Sequence, residues 1–146
     1  MSSNRPHSIH HVNFPTTNPE RTKEWYCRVF GMHHVDVSHL TNTKVLLLSR
    51  GNFELHFTPI ETMQRMAPFH YAVEVEDWDG FLGHLKSLGV RYTKAVERPQ
   101  NQSKFCYIHD PDGTMIELTY HGRREDLKTP TQEPRAVSEQ PIEARA

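Results

Sequence analysis

Four residues have the types and spacing to do chemistry together: His11, Glu54, His70 and Glu117. Glu117 stands between Ile116 and Leu118, in a run where apolar and polar side chains alternate. A carboxylate placed among apolar neighbours is costly unless it is paired or binds a cation. Glu54 repeats the arrangement between Phe53 and Leu55. His11 and His70 each fall in an earlier apolar run, at alternating positions away from the main apolar face. Neutral imidazoles with carboxylates form a donor set suited to a divalent ion such as manganese, iron, cobalt, nickel or zinc.

The elements that must position these residues read as a repeat. Ile9 to Pro15 alternates as a strand, with Val12, Phe14 and His10 on one face and His11 and Asn13 on the other. Asn18-Pro19 is a helix start, cap and first position, and Gly31 is the stop. Strands are then expected at Met32 to Val37, Lys44 to Ser49 and Phe53 to Phe57. After a linker with Pro59 and Pro68, the pattern returns. Phe69 to Val75 is a strand with His70 and Ala72 opposite its apolar face. Asp77 caps a helix whose Trp78, Phe81, Leu82, Leu85 and Leu88 share one side, and Gly89 ends it. A strand is expected at Val90 to Tyr92, a polar loop over 93–102, and a hairpin closed by Asp110-Pro111-Asp112-Gly113. His11 to Gly31 spans 20 residues and His70 to Gly89 spans 19; His11 to Glu54 spans 43 and His70 to Glu117 spans 47. Two βαβββ modules, 9–58 and 69–121, therefore make up an α+β domain, with a polar lead at 1–8 and a polar tail at 122–146.

If the halves pack about a pseudo-twofold axis, His11, Glu54, His70 and Glu117 converge on one point. Four protein donors around an octahedral ion leave two adjacent positions, which a substrate with neighbouring oxygens could fill. The ion would act as a Lewis acid, and Glu54 or Glu117 as general base. His10 shares a face with Val12 and Phe14 and is set aside. If Glu54 points away from the ion, leaving a site of the ring-cleaving dioxygenase kind, His56, His109, Tyr107 and Tyr120 become candidate acid–base partners.

Other chemistries find no support. The formal charge of −1 offers no basic field for nucleic acid or anionic membranes. No apolar run approaches a bilayer span and no signal peptide is evident, so a cytoplasmic location is expected. Cys27 and Cys106 form no framework and read as reduced thiols. There is no phosphate-binding loop, dinucleotide fingerprint or nucleophile elbow.

The chain resembles the vicinal oxygen chelate superfamily of glyoxalase I, extradiol dioxygenases and fosfomycin-resistance enzymes. The likeness lies in Ile9-His10-His11-Val12, Trp25-Tyr26 through Phe30-Gly31, Phe69-His70-Tyr71-Ala72-Val73, Leu88-Gly89-Val90, and Tyr107 through Asp110-Pro111-Asp112-Gly113 to Ile116-Glu117-Leu118. It implies a half-open, eight-stranded barrel-like arrangement around one divalent ion, a small-molecule substrate and a homodimer. His11, His70 and Glu117 would be ligands, and Glu54 a fourth, as in glyoxalase I. The expected activity is a lyase or isomerase that stabilises an enediolate. His56-Phe57-Thr58-Pro59 departs from the polar segment of many glyoxalases, which leaves glutathione as the thiol unsupported. An Fe(II) ring-cleaving dioxygenase needs only the triad His11, His70 and Glu117. A fosfomycin-type thiol transferase ranks third, because the loop 97–104 lacks the glycine of those enzymes. A metal-free small-molecule binder is the remaining alternative.

Overall fold

The computed structural model describes residues 8–39, 44–64, 68–99 and 102–122. The expected lead at 1–8 and tail at 122–146 fall almost wholly outside them. Ten elements follow in the order β1 (His11–Thr16), α1 (Pro19–Phe30), β2 (His33–Val35), β3 (Leu46–Ser49), β4 (Glu54–Pro59), β5 (His70–Glu74), α2 (Trp78–Ser87), β6 (Val96–Arg98), β7 (Ser103–His109) and β8 (Met115–Tyr120). They form two four-stranded sheets, ordered β1-β4-β3-β2 and β5-β8-β7-β6. In each, the first strand of the module pairs in parallel with the last, and the other neighbours are antiparallel. The expected α+β class and the βαβββ repeat are observed; among the described residues the sheets do not close into a barrel.

Local chemistry explains the helix ends. The Asn18 side chain accepts from the Arg21 N–H at 3.0 Å, Pro19 occupies the first turn, and Gly31 adopts φ +62°. Those are the start and stop signals of an independent helix. Asp77 caps α2 by accepting from the Gly80 N–H at 3.1 Å.

One strand lies elsewhere than expected. Val90 to Tyr92 is not a strand, because the Val90 N–H returns to the Leu85 carbonyl at 2.9 Å and stays tied to the end of α2. The strand instead forms at Val96–Arg98, inside the expected loop, where Val96 pairs opposite Phe105. β2 is also shorter than Met32 to Val37. Met32 is buried and its N–H bonds to the Tyr26 carbonyl as part of the helix exit.

Alternation then decides which face is open. Leu48, Leu55, Phe57, Ile108, Ile116 and Leu118 are at most 1% exposed and fill the core with Tyr26 and Leu85. Each such aliphatic side chain contributes about 2 kcal/mol by leaving water. Since neighbours in sequence point oppositely, β4 and β8 turn Glu54, His56 and Glu117 away from that core, and the pairing of β1 with β4 and β5 with β8 puts His11 and His70 on the same open faces.

The β7–β8 turn fastens one module to the other. Asp112 accepts from the Thr16 hydroxyl at 3.1 Å and from Arg21 at 2.8 Å, and bonds Thr17 through both its N–H and its hydroxyl. Its side chain is only 2% exposed. Burial acts to raise its pKa, but the bonds from Thr17 and Thr16 and the Arg21 charge outweigh it, so the carboxyl is held below its ordinary value. Beside it, Asp110 accepts from the Tyr26 hydroxyl at 3.0 Å, and Tyr71 donates to Tyr26 at 3.1 Å. Burial moves the Asp110 carboxyl and the Tyr26 phenol upward.

Among the described residues, no helix is long and apolar enough to cross a membrane.

Candidate functional site

β1 and β4 bring His11 directly opposite Glu54. Two residues further along β4, His56 projects from the same face. Its Nε2 lies 3.1 Å from Glu54 Oε2, and its ring stacks on His11 with centroids 3.9 Å apart and planes 15° from parallel. His11 Nδ1 in turn meets His10 Nδ1 at 2.9 Å. His10 therefore does not lie on the core face with Val12 and Phe14. The strand begins only at His11, which frees His10 from the alternation.

β5 and β8 build a second group. His70 Nε2 lies 3.1 Å from Glu117 Oε2, and the Tyr107 hydroxyl donates to the same oxygen at 3.5 Å. The His70 and Tyr107 rings meet edge to face at 5.5 Å. Burial and the adjacent Glu117 charge push the Tyr107 phenol upward, which keeps it a neutral donor.

The backbone sets the tautomer of His70. Its Nδ1 is 3.0 Å from the Pro68 carbonyl, which can only accept, so Nδ1 carries a proton. In a neutral ring, Nε2 is then a bare lone pair aimed at a carboxylate. Two acceptors 3.1 Å apart need a proton or a cation between them. The backbone bond at Nδ1 is also the arrangement that orients a metal-binding imidazole. The donor chemistry of this pair thus fits a divalent ion.

The two groups are not register copies. His11 faces Glu54, whereas His70 faces Met115 and Glu117 faces Ala72. Counting along the paired strands, the partner of Glu117 in the first module is His56, and that of Glu54 is Met115. Sequence spacing alone matches the two glutamates and misses this two-residue offset. The signal for His56 was present, since Glu54 and His56 are separated by one residue and share a face.

Among the described residues, no three His, Cys, Asp or Glu side chains converge to hold a metal ion. The four anticipated ligands stand as two pairs, one per sheet. Tyr120 lies on the core side against Trp78 and is no part of either group. His109 projects from the open face opposite Met115. Cys106 is buried, and burial pushes its thiol to about 11, as befits an inert structural residue.

Comparison with known proteins agrees with this architecture. The "Uncharacterized protein YaeR" of Escherichia coli K12 is 28% identical over 120 residues, covering 75% of this chain and 93% of its own. A solved structure from Bacillus anthracis, described as of the glyoxalase family, superposes with a TM-score of 0.70 at 22% identity, over 82% of this chain and 99% of the other. A glutamate-to-glutamine variant of the fosfomycin resistance protein FosX from Listeria monocytogenes, solved with Mn(II) and 1S,2S-dihydroxypropylphosphonic acid, gives a TM-score of 0.70 at 18% identity, over 86% of this chain and all of the other. At these identities the structural likeness speaks for the fold alone. A family model matches residues 8–118, and on that match the chain belongs to the Glyoxalase/Bleomycin resistance protein/Dioxygenase superfamily.

Proposed function

We propose that the chain is a divalent-metal-dependent enzyme acting on a small substrate with two neighbouring oxygens, through lyase or isomerase chemistry of the glyoxalase type. The observation that carries this reading is the His70–Glu117 pair, whose ring is oriented by the Pro68 carbonyl with its free nitrogen turned to a carboxylate. His11, Glu54, His70 and Glu117 would hold the ion. When bound, that ion would supply Lewis-acid polarisation of a substrate oxygen. Glu54 is the general base: it takes a proton from the carbon beside the substrate carbonyl and returns it to the adjacent carbon. His56, 3.1 Å away and 13% exposed, steadies Glu54 and can share the proton. Glu117, engaged by both His70 and Tyr107, is the holding carboxylate.

The reading includes a homodimer in which one copy's β1–β4 group meets the other copy's β5–β8 group. Two facts support it. Each chain presents its donors as separate pairs, and the large apolar residues just ahead of the two histidines, Ile9 and Phe69, are 83% and 74% exposed. Apolar residues exposed beside each half-site suit an interface.

A second reading is favoured by the Glu54–His56 contact. If that contact keeps Glu54 from the ion, His11, His70 and Glu117 remain as a two-histidine, one-carboxylate set, which suits an iron dioxygenase.

Metal analysis of protein purified without added metal tests both. Nickel, zinc, cobalt or manganese weakened about tenfold in Glu54→Gln supports the first reading, and iron retained in that variant supports the second. Protein that holds no divalent metal at any occupancy overturns both. Mixing the His11→Ala and Glu117→Gln variants tests the shared site. A mixed dimer should regain one intact site, whereas a site built within one chain would regain none.

A further inference from the structure

The open face of the second sheet continues past Glu117. Tyr107 is the register partner of Glu117, and Phe105 lies two residues before it on the same face. Their rings meet edge to face at 5.9 Å, as those of His70 and Tyr107 do at 5.5 Å. The row ends at Arg98, whose guanidinium carbon sits 4.2 Å above the Phe105 ring. Val96, opposite Phe105, is 48% exposed on that face. A continuous aromatic floor therefore runs from the His70–Glu117 pair to a cation.

Arg98 is exposed and pairs with no carboxylate among the described residues. The neighbouring Glu97 pairs instead with Lys104 at 3.5 Å, across the other face. A guanidinium steadied on an aromatic ring loses little freedom on binding and is a pre-organised fork for a carboxylate or phosphate.

We infer that Arg98 is a specificity residue, and that the substrate carries an anionic group separated from its chelating oxygens by an apolar or flat body lying over Phe105 and Tyr107. The inference rests on the metal reading proposed above. It names an amphipathic acid as the substrate class: chelating head on the ion that His70 and Glu117 would help to hold, body on the rings and Val96, anion on Arg98.

A matched pair of chelators separates the parts. Octanohydroxamic acid and suberic acid monohydroxamate share the same chelating head and chain length, and only the second ends in a carboxylate. Their affinities for the metal-loaded protein are measured by titration calorimetry. Suberic monohydroxamate should bind about tenfold tighter or more. Arg98→Gln should abolish that advantage without changing octanohydroxamic acid, and Arg98→Lys should restore part of it. Equal affinity of the two chelators for the unaltered protein would overturn the inference and leave the metal reading standing. So would an advantage that survives Arg98→Gln. If neither chelator binds, the metal reading falls and this inference with it.

Discussion

The two sheets repeat one strand order but hold their carboxylates differently. In the first, Glu54 lies opposite His11 and bonds a second imidazole, His56, within a group that is itself stacked. In the second, Glu117 lies two residues beyond the partner of His70 and bonds one imidazole whose far nitrogen is fixed by backbone. A duplicated fold has thus kept its topology while its two open faces have diverged. The first is rich in imidazole, with His33 and Val35 on its far strand. The second is lined by Tyr107, Phe105 and Arg98. On the reading proposed here, both faces hold the ion, the first also moves protons and the second also carries the substrate.

The largest expected effect separates those roles. Glu117→Gln should weaken cobalt binding at least about a hundredfold, because it removes a charged donor from an oriented pair. Glu54→Gln should weaken it only about tenfold, because His56 already shares that carboxylate. Competition titration with a chromophoric chelator measures both. Equal losses would erase the proposed difference between the sheets.

The next effect tests the fastening between modules. Asp112→Ala takes this acceptor from three threonine hydroxyls, an N–H and Arg21, and should cost about 2–3 kcal/mol in urea unfolding. Arg21 is half exposed, which keeps the loss below that of a fully buried ion pair. The pH dependence has a definite sign. The Asp112 carboxyl is held below its unfolded value, so its stabilisation is present above that value and is lost as pH falls through the lower, folded one. Asp110, two residues away, is raised by burial, so its contribution runs the other way and grows as pH falls. Asp112→Asn should flatten the acid limb of the stability curve, and Asp110→Asn should steepen it.

These contrasts explain what could be read from sequence. Helix caps at Asn18 and Asp77 and the turn at Asp110 to Gly113 are local signals, and they were legible. So was the open-face placement of His11, Glu54, His70 and Glu117, because alternation is a property of each strand alone. The register between strands is a relation between distant segments. Counting residues gave separations of 43 and 47, but loops absorb such differences without a sequence mark. The offset that makes His56, not Glu54, the counterpart of Glu117 was therefore invisible. The same holds for β6. Val90 to Tyr92 carries strand-like residues, but the Val90 N–H is taken by the helix it follows.

A smaller effect probes the buried hydroxyl chain that joins the modules. Tyr71→Phe removes the donor to Tyr26 while leaving the Tyr26–Asp110 bond, and should cost about 1 kcal/mol. No change in stability would mean that the Tyr71 hydroxyl adds nothing to the junction.

The last test bears on the turn that aims Glu117. Gly113 sits at φ +86° with open space where a side chain would go, so an alanine there meets strain from the backbone and not from neighbours. That strain should cost about 1 kcal/mol, read as a lower urea midpoint. The register of β8 should survive. Asp110 still accepts from the Asp112 and Thr114 N–H groups at 2.9 Å, and its own N–H still reaches the Thr114 carbonyl. Cobalt affinity in Gly113→Ala should then stay within about twofold of the unaltered protein. If affinity collapses while the fold persists, the glycine itself holds the register. A one-residue slip of β8 would then be what turns Ile116 outward and Glu117 into the core.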